Sequence, residues 1–452
     1  MDYRLLDARE KTDLFEKKLL SEFKNKTLVV IRCNMPGIKK GCLESDWVVY
    51  KIFLECKLVL KPSHIFHSYT DEEGLIFFLI VDENPIKIKE QTITIEETHN
   101  LGRLSDIDVL NSQKLFSRAD ILLKNKYDSN KTVLRKCFLC NRSAKYCSRN
   151  QTHSLNDIIE FIKTKVQNDW LDGNTYDKLS KLTEAAMLGE LCRIYGFGCV
   201  TANDNGSHSD MDFLLMLDCI PLIGNAIKKI TPDVYKSFSS LRNYGKTIEE
   251  SLFKITKGIN TYKGALFLLL ILNACTLRVL FRNKKTNNII ADLPDIERSA
   301  LINSLSYEIS EFSKPVLKDI STRDCSKQSL DLFLQTGEAG IRGEALSGFK
   351  SHFTDYLPIF KSGINIEYII LHILSETFDT TIIKRKGIKK LYEVQNKAEH
   401  ILTLPKIDIR KEANIFSEWC KSENISTGGS ADRIIILYNL FLIDKFFDRL
   451  MI

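Results

Sequence analysis

The sequence predicts a multi-domain protein, with an α+β domain over 1–172 built on a mixed or antiparallel sheet and an all-α domain over 173–452. Three observations carry that expectation. The chain has 452 residues, more than one domain at about 150 residues each. Its first third mixes β-branched runs with helical periods, whereas helical spacing dominates from Tyr176 onward and no hairpin signal appears there. The turn Asp172-Gly173-Asn174 marks the joint, and no Pro/Ser-rich linker surrounds it.

In the first domain, Thr27–Cys33 is a short β-branched run and reads as a strand, ended by the turn Asn34-Met35-Pro36-Gly37. Residues 47–60 read as an amphipathic helix and 75–81 as a buried strand. Residues 86–97 alternate polar and apolar side chains and predict a half-exposed strand, a pattern continued over 104–110. Residues 154–169 predict a helix capped by Ser154. In the second domain, helices are expected over 179–194, 233–241, 247–255, 265–281, 330–336, 367–378 and 431–450.

Hydrophobic content of 44% and charged content of 27% fit a globular protein. A net charge of +6 is too dilute over this length to indicate nucleic acid, yet suits a protein that handles polyphosphates. Twelve cysteines behind a charged N-terminus without an apolar leader point to a reducing, cytoplasmic setting. The apolar run 265–281 is interrupted by Asn273, Thr276 and Arg278, so a buried helix is expected and no membrane partner.

Two stretches of the first domain carry chemistry. On a strand, Asp106 and Asp108 share one face, about 7 Å apart, and could hold Mg²⁺ against phosphate oxygens. Arg103 and Arg118 are candidates to neutralise those phosphates. Cys137 and Cys140, followed by Cys147 and His153, form a possible tetrahedral zinc set. The alternatives are reduced thiols in a turn, or anion binding through the interleaved Arg135, Arg142 and Arg149.

With these residues on the page, 1–170 resembles the citrate lyase holo-acyl-carrier-protein synthase family, an apo-citrate lyase phosphoribosyl-dephospho-CoA transferase. The resemblance rests on Asp7-Ala8-Arg9-Glu10, Asn34-x-Pro36-Gly37, His99 and Leu101-Gly102-Arg103-Leu104. It continues through Asp106-Ile107-Asp108-Val109, Ser117-Arg118, Arg135-x-Cys137-x-x-Cys140, Ala144, Cys147, Arg149, Thr152 and His153. Asn100 stands where that family has proline.

In the second domain the polar residues cluster at joints between helices. Residues 256–264 place Gly258, Asn260, Thr261, Lys263 and Gly264 before the most apolar stretch, where a helix start is a natural phosphate seat. Another joint groups His208 with Asp204, Asp210 and Asp212, for Mg²⁺ or proton transfer. Others hold Arg242 with Glu249, Arg342-Gly343-Glu344-Ala345, Asp379-Thr380-Thr381 with Arg385, and Gly428-Gly429-Ser430-Ala431-Asp432. So many polar joints in an apolar helical domain suggest one shared site at the helix ends, although some are expected to be plain caps.

These joints, with Glu190, Gly198, Val200, Gly206, Gly245, Thr256, Gly348 and Gly387, resemble the triphosphoribosyl-dephospho-CoA synthase family over 183–440. That family has a lysine where this chain has Gly196; Lys257, Lys263 or Arg193 could stand in for it. The paired resemblance implies a transferase that first converts ATP and 3′-dephospho-CoA to 2′-(5″-triphosphoribosyl)-3′-dephospho-CoA and adenine. It then attaches the product to a serine of the citrate lyase acyl-carrier subunit, releasing pyrophosphate. His208 or Asp210 would act as general base or Mg²⁺ partner, and Glu344 and Asp379 would support the sugar cation. Arg242, Asn260, Thr261, Lys263, Gly264, Arg342, Gly428, Gly429, Ser430 and Asp432 would hold substrate and phosphate. Two alternatives stand beside this reading: the same chemistry for a malonate decarboxylase carrier, or a degenerate nucleotide-binding regulatory protein, suggested by the absent lysine at Gly196.

Overall fold

The computed structural model describes residues 3–37, 39–125, 135–282, 295–321, 333–334, 336–405 and 408–449. It divides into two compact units, Met1–Asp172 and Gly173–Ile452.

The first unit is built on one antiparallel sheet. Its strands are β1 (Thr27–Cys33), β2 (His64–Thr70), β3 (Gly74–Val81), β4 (Ser105–Leu110) and β5 (Leu115–Phe116), in the order β2-β3-β1-β4-β5. The β-branched run of β1 lies at the centre, where both faces are covered. Helix α1 (Tyr3–Glu22) packs on one face, setting Phe15 and Leu19 against Phe78, Val30 and Ile80. Helix α2 (Leu43–Leu60) packs on the other, where Phe53 stacks on Phe77 at 3.8 Å.

The expected strand over 86–97 is corrected: it is helix α3 (Pro85–Thr98). Asn84 caps it by accepting from Ile86 N at 2.9 Å, and Pro85 occupies the first turn, where a missing N–H does no harm. Its buried residues Ile88, Thr92, Ile95 and Glu96 recur at helical spacing. The alternation misled because polar groups point inward: Lys89 Nζ donates to Ile107 O at 2.8 Å, and Glu96 accepts from Ile107 N at 3.2 Å. The unit continues with α4 (Arg118–Asn125), α5 (Ala144–Arg149) and α6 (Leu155–Trp170), the last capped by Ser154 accepting from Asp157 N at 3.1 Å. Asn100 anchors its loop by donating to Asp169, which also accepts from Trp47 Nε1.

The described second unit is helical. In chain order come α7 (Thr175–Leu191), α8 (Phe213–Lys228), α9 (Pro232–Tyr235), α10 (Phe238–Ile255), α11 (Lys263–Arg282), α12 (Asp295–Ser313) and α13 (Val316–Ser321). Then follow α14 (Ile341–Leu346), α15 (Leu357–Lys361), α16 (Ile366–Glu376), α17 (Thr380–Lys386), α18 (Ile388–Leu402), α19 (Ile409–Ser422) and α20 (Gly428–Arg449). The helix expected over 233–241 is two, because Ser237 caps α10 by accepting from Ser240 N. The helix expected over 330–336 lies largely outside the described residues.

Helix α11 passes through the core. Its span Lys263–Phe281 is long and apolar enough to cross a membrane, but 78% of it is buried inside the unit. The interruptions at Asn273 and Thr276 are interior hydrogen-bonding groups. Thr183 of α7 accepts from Asn273 at 3.2 Å and from Asn439 of α20 at 3.3 Å, joining three helices at one hydroxyl. Each such buried amide would cost ~1–3 kcal/mol unpartnered.

Candidate functional site

The ends of α10, α11, α14, α17 and α20 surround a cavity of about 700 Å³ in the second unit. Its lining includes His208, Arg242, Asn260, Thr261, Lys263, Gly264, Arg342, Gly428, Gly429 and Asp432. Joints from distant parts of the chain therefore meet in one place. Among the described residues its cations are Arg242, Lys246, Lys263, Arg342 and Lys384. Lys246 and Lys384 were not foreseen. The spacing of 242, 246 and 249 sets Lys246 on the helix face shared by Arg242 and Glu249, a signal present in the sequence. Lys263 pairs with Glu249. Lys246, Arg342 and Lys384 have no ion pair among the described residues, and all three line the cavity.

The two helix starts expected to seat phosphate already hold carboxylates of the protein. At α20, Asp379 accepts from Ser430 N at 2.8 Å and Ser430 Oγ at 3.1 Å, and Gly429 N also donates to it. The same carboxylate caps α17 through Thr381 N at 2.9 Å. At α11, Ala265 N donates to Asp432. Gly264 is required there, because a Cβ would lie 1.9 Å from Asp432 Oδ2. Gly258, at φ +89, closes the C-terminus of α10 by donating to Phe253 O. The backbone N–H groups of these two helix starts are thus already engaged by the protein's own carboxylates. Burial, and then the neighbouring Asp379 charge, push the Asp432 carboxyl well above the usual carboxylate range.

Glu344 and Asp379, expected to support the sugar cation, are not among the residues that line the cavity, although Asp379 accepts from the N–H of Thr381, which does. Glu344 is turned into a buried network, 2.9 Å from His352 Nδ1 and 3.3 Å from Arg433 Nε. Burial opposes its charge, but the His352 bond and the positive charges hold it at about 2. Ser430 is buried as well. His208 faces the cavity with Nε2 2.9 Å from Ser426 Oγ, and Asp210 stands 3.7 Å from its Nδ1. Burial and the nearby Arg385 lower its pKa below 6.5, keeping the imidazole neutral at pH 7. Gly196 lies in a tight turn where a Cβ would meet Cys199 O at 2.4 Å. Arg193 cannot supply the missing cation, being buried and spent on Glu190 and the carbonyls of Tyr195 and Gly196.

The first unit has its own cavity, of about 820 Å³, lined by Arg103, Arg118, Arg135, Glu96, Glu97, Cys137, Cys147 and His153 among others. Asp106 and Asp108 are not among the residues that line it; they share one face of β4, their side chains 45% and 29% exposed, and Asp106 reaches the lining through Arg135. Arg135 Nη1 reaches Asp106 at 3.0 Å, and Arg32 Nη1 reaches Asp108 at 3.0 Å. Burial and the Asp106 charge raise the Asp108 pKa, as expected of two carboxylates whose charge is incompletely met. Arg118 donates to both Glu96 and Glu97 at 2.6 Å. Arg103 Nη2 donates to Lys136 O at 2.6 Å. The cysteines and His153 converge, with all ligand atoms within 4.8 Å of one another.

The family described as CitG: ATP:dephospho-CoA triphosphoribosyl transferase matches residues 176–448. The chain belongs to this family. A second family, described as CitX: Apo-citrate lyase phosphoribosyl-dephospho-CoA transferase, matches residues 3–169, so the chain joins the two. Protein CitXG of Haemophilus influenzae is 27% identical over 459 residues, spanning 96% of this chain and 94% of that protein. Protein CitXG of Leuconostoc mesenteroides subsp. cremoris is 27% identical over 467 residues, spanning 96% and 95%. A probable 2-(5′′-triphosphoribosyl)-3′-dephosphocoenzyme-A synthase of Streptococcus mutans is 30% identical over 289 residues, 58% of this chain and 96% of that protein. The chain is a transferase in the synthesis and attachment of the citrate lyase prosthetic group. The 700 Å³ cavity lies within the CitG match, and the Asp106–Asp108 pair within the CitX match.

Proposed function

We propose that the second unit joins ATP to 3′-dephospho-CoA, forming 2′-(5″-triphosphoribosyl)-3′-dephospho-CoA and free adenine. The observation that carries this reading is the ring of five cations around one cavity that also holds His208 and Asp432. Lys246, Lys263, Arg342, Lys384 and Arg242 suit a triphosphate. Neutral His208 takes the proton of the attacking ribose hydroxyl, directly or through Ser426 Oγ. The bond from that oxygen to C1 of the ATP ribose forms as the bond to adenine breaks. Positive charge develops on the sugar at that moment. It favours ionisation of Asp432, whose proton goes to the departing adenine, so the carboxylate stabilises the transition state more than the ground state.

The first unit then passes the phosphoribosyl-dephospho-CoA moiety to a serine hydroxyl of the citrate lyase acyl-carrier subunit, with release of pyrophosphate. Asp106 and Asp108 fit Mg²⁺, since two adjacent carboxylates keep oxygens beyond those bound to Arg135 and Arg32. Bound there, Mg²⁺ would neutralise charge on the reacting phosphates. Arg103, Arg118 and Arg135 on the cavity wall orient the phosphates by bidentate donation. The test is incubation of the full chain with ATP and dephospho-CoA, then with apo-carrier. Free adenine in the first stage and a carrier mass gain in the second are expected. Absence of adenine overturns the assignment of the second unit.

A further inference from the structure

Among the described residues, three thiols and a histidine gather at the wall of the first cavity. Cys140 Sγ lies 3.5 Å from Cys147 Sγ and 3.4 Å from His153 Nε2. Cys137 completes the group within the same 4.8 Å limit. Tetrahedral zinc with Zn–S near 2.3 Å and Zn–N near 2.0 Å needs donor atoms about 3.5–3.8 Å apart. The donors thus stand close to tetrahedral spacing.

The backbone is arranged for the same end. Lys136 bridges to Ser143, and Cys137 N donates to Arg142 O at 2.8 Å, folding Cys137 and Cys140 into one tight turn. The N–H groups of Leu139 and Cys140 both donate to the Cys137 sulfur, a solvation suited to a metal-bound thiolate. Cys147 comes from α5, a helix of six residues, and His153 from just before α6. A helix that short does not hold itself together. Tyr146 on it is 51% exposed and Leu155 beside it 49%, so apolar burial at these positions contributes little.

We propose that Cys137, Cys140, Cys147 and His153 bind one zinc ion in a closed four-ligand site that fixes the wall of the first cavity. All four positions are filled by protein, so the ion is structural and activates no water. Its effect passes through two arginines. Arg103 donates to the carbonyls of Lys136 and Cys137, and Arg135, two residues before the first ligand, pairs with Asp106 and Glu96. Loss of zinc therefore frees the loop that sets Arg135 against Asp106.

The test is zinc content of the purified full chain, measured by mass spectrometry after removal of loosely held metal. About one zinc per chain is expected, and cobalt substitution should give the visible absorption of a tetrahedral site with thiolate charge transfer. Cys147→Ser and His153→Gln should each lower the zinc content at least fivefold. Cys42→Ser is the control, because Cys42 caps α2 and serine is a good cap there; it should keep its zinc. Adenine release by Cys147→Ser should stay within twofold of the parent, showing that the chain is folded, while carrier transfer falls at least tenfold. A parent chain that stays zinc-free after incubation with zinc salt overturns the proposal. So does equal zinc loss in Cys42→Ser and Cys147→Ser. Failure of the parent to release adenine would count against the function proposed for the second unit and leave the zinc result standing.

Discussion

The two units concentrate charge around their cavities by different means. In the first unit acids and arginines alternate: Glu16–Arg32–Asp108 on one side, Asp106–Arg135–Glu96–Arg118–Glu97 on the other. In the second unit the buried Asp379 and the half-buried Asp432 meet backbone N–H groups at helix starts, leaving cations on the cavity wall. The difference teaches where a ligand finds its partners. A phosphate entering the first unit must share arginines that already hold carboxylates. One entering the second meets lysines and an arginine with no ion pair among the described residues. Burial makes both carboxylates costly to ionise, and the Asp379 charge adds to that cost at Asp432, against backbone N–H bonds that favour the charged form; in the proposed reaction this suits Asp432 to respond to a cation forming beside it.

The comparison breaks most sharply at the Asp106–Asp108 pair. Replacing both with Asn should lower carrier transfer by on the order of 10³-fold while leaving adenine release intact. Loss of both activities together would mean that the two sites are not separable. Next in size, His208→Gln should lower adenine release by about 10²-fold or more and spare transfer of preformed intermediate. In the parent, kcat/KM for the first step should fall on acidification only below pH ~6.5, because the free imidazole is the active form and its pKa is lowered; a midpoint above that value would contradict His208 as the base. Gly264→Ala forces a methyl onto Asp432 and should cost about 1–3 kcal/mol in a urea titration together with adenine release. Lys263→Ala should raise KM for ATP about tenfold with stability changed by less than about 0.5 kcal/mol, its pair with Glu249 being an exposed one. The smallest effect concerns Glu344. Its pKa is depressed from 4.5 to about 2 in the folded chain, so its stabilisation is present above pH 4.5 and lost as pH falls toward 2. The stability gap between parent and Glu344→Gln should therefore shrink from pH ~5 to pH ~3.

Local pattern reached the first unit better than the second. Period two alone placed Asp106 and Asp108 on one face of β4, and the Cys-x-x-Cys spacing gathered the thiols. It failed at α3, where Lys89 and Glu96 turn polar groups inward and counterfeit a strand. In the helical unit the joints were visible, and their convergence followed from apolar helices meeting at their ends. What occupies each helix start was not legible, because Asp379 reaches Ser430 across 51 residues of chain. Glu344 looked catalytic within its motif, yet its partners His352 and Arg433 draw it into the interior. No local period reports contacts of that separation.

The most direct measurement is adenine release by the Asp106→Asn/Asp108→Asn chain given ATP and dephospho-CoA, followed by carrier labelling in the same tube. The account predicts free adenine at the parent rate, an accumulating triphosphoribosyl product and unlabelled carrier. A chain that releases no adenine, or labels carrier as fast as the parent, would contradict it.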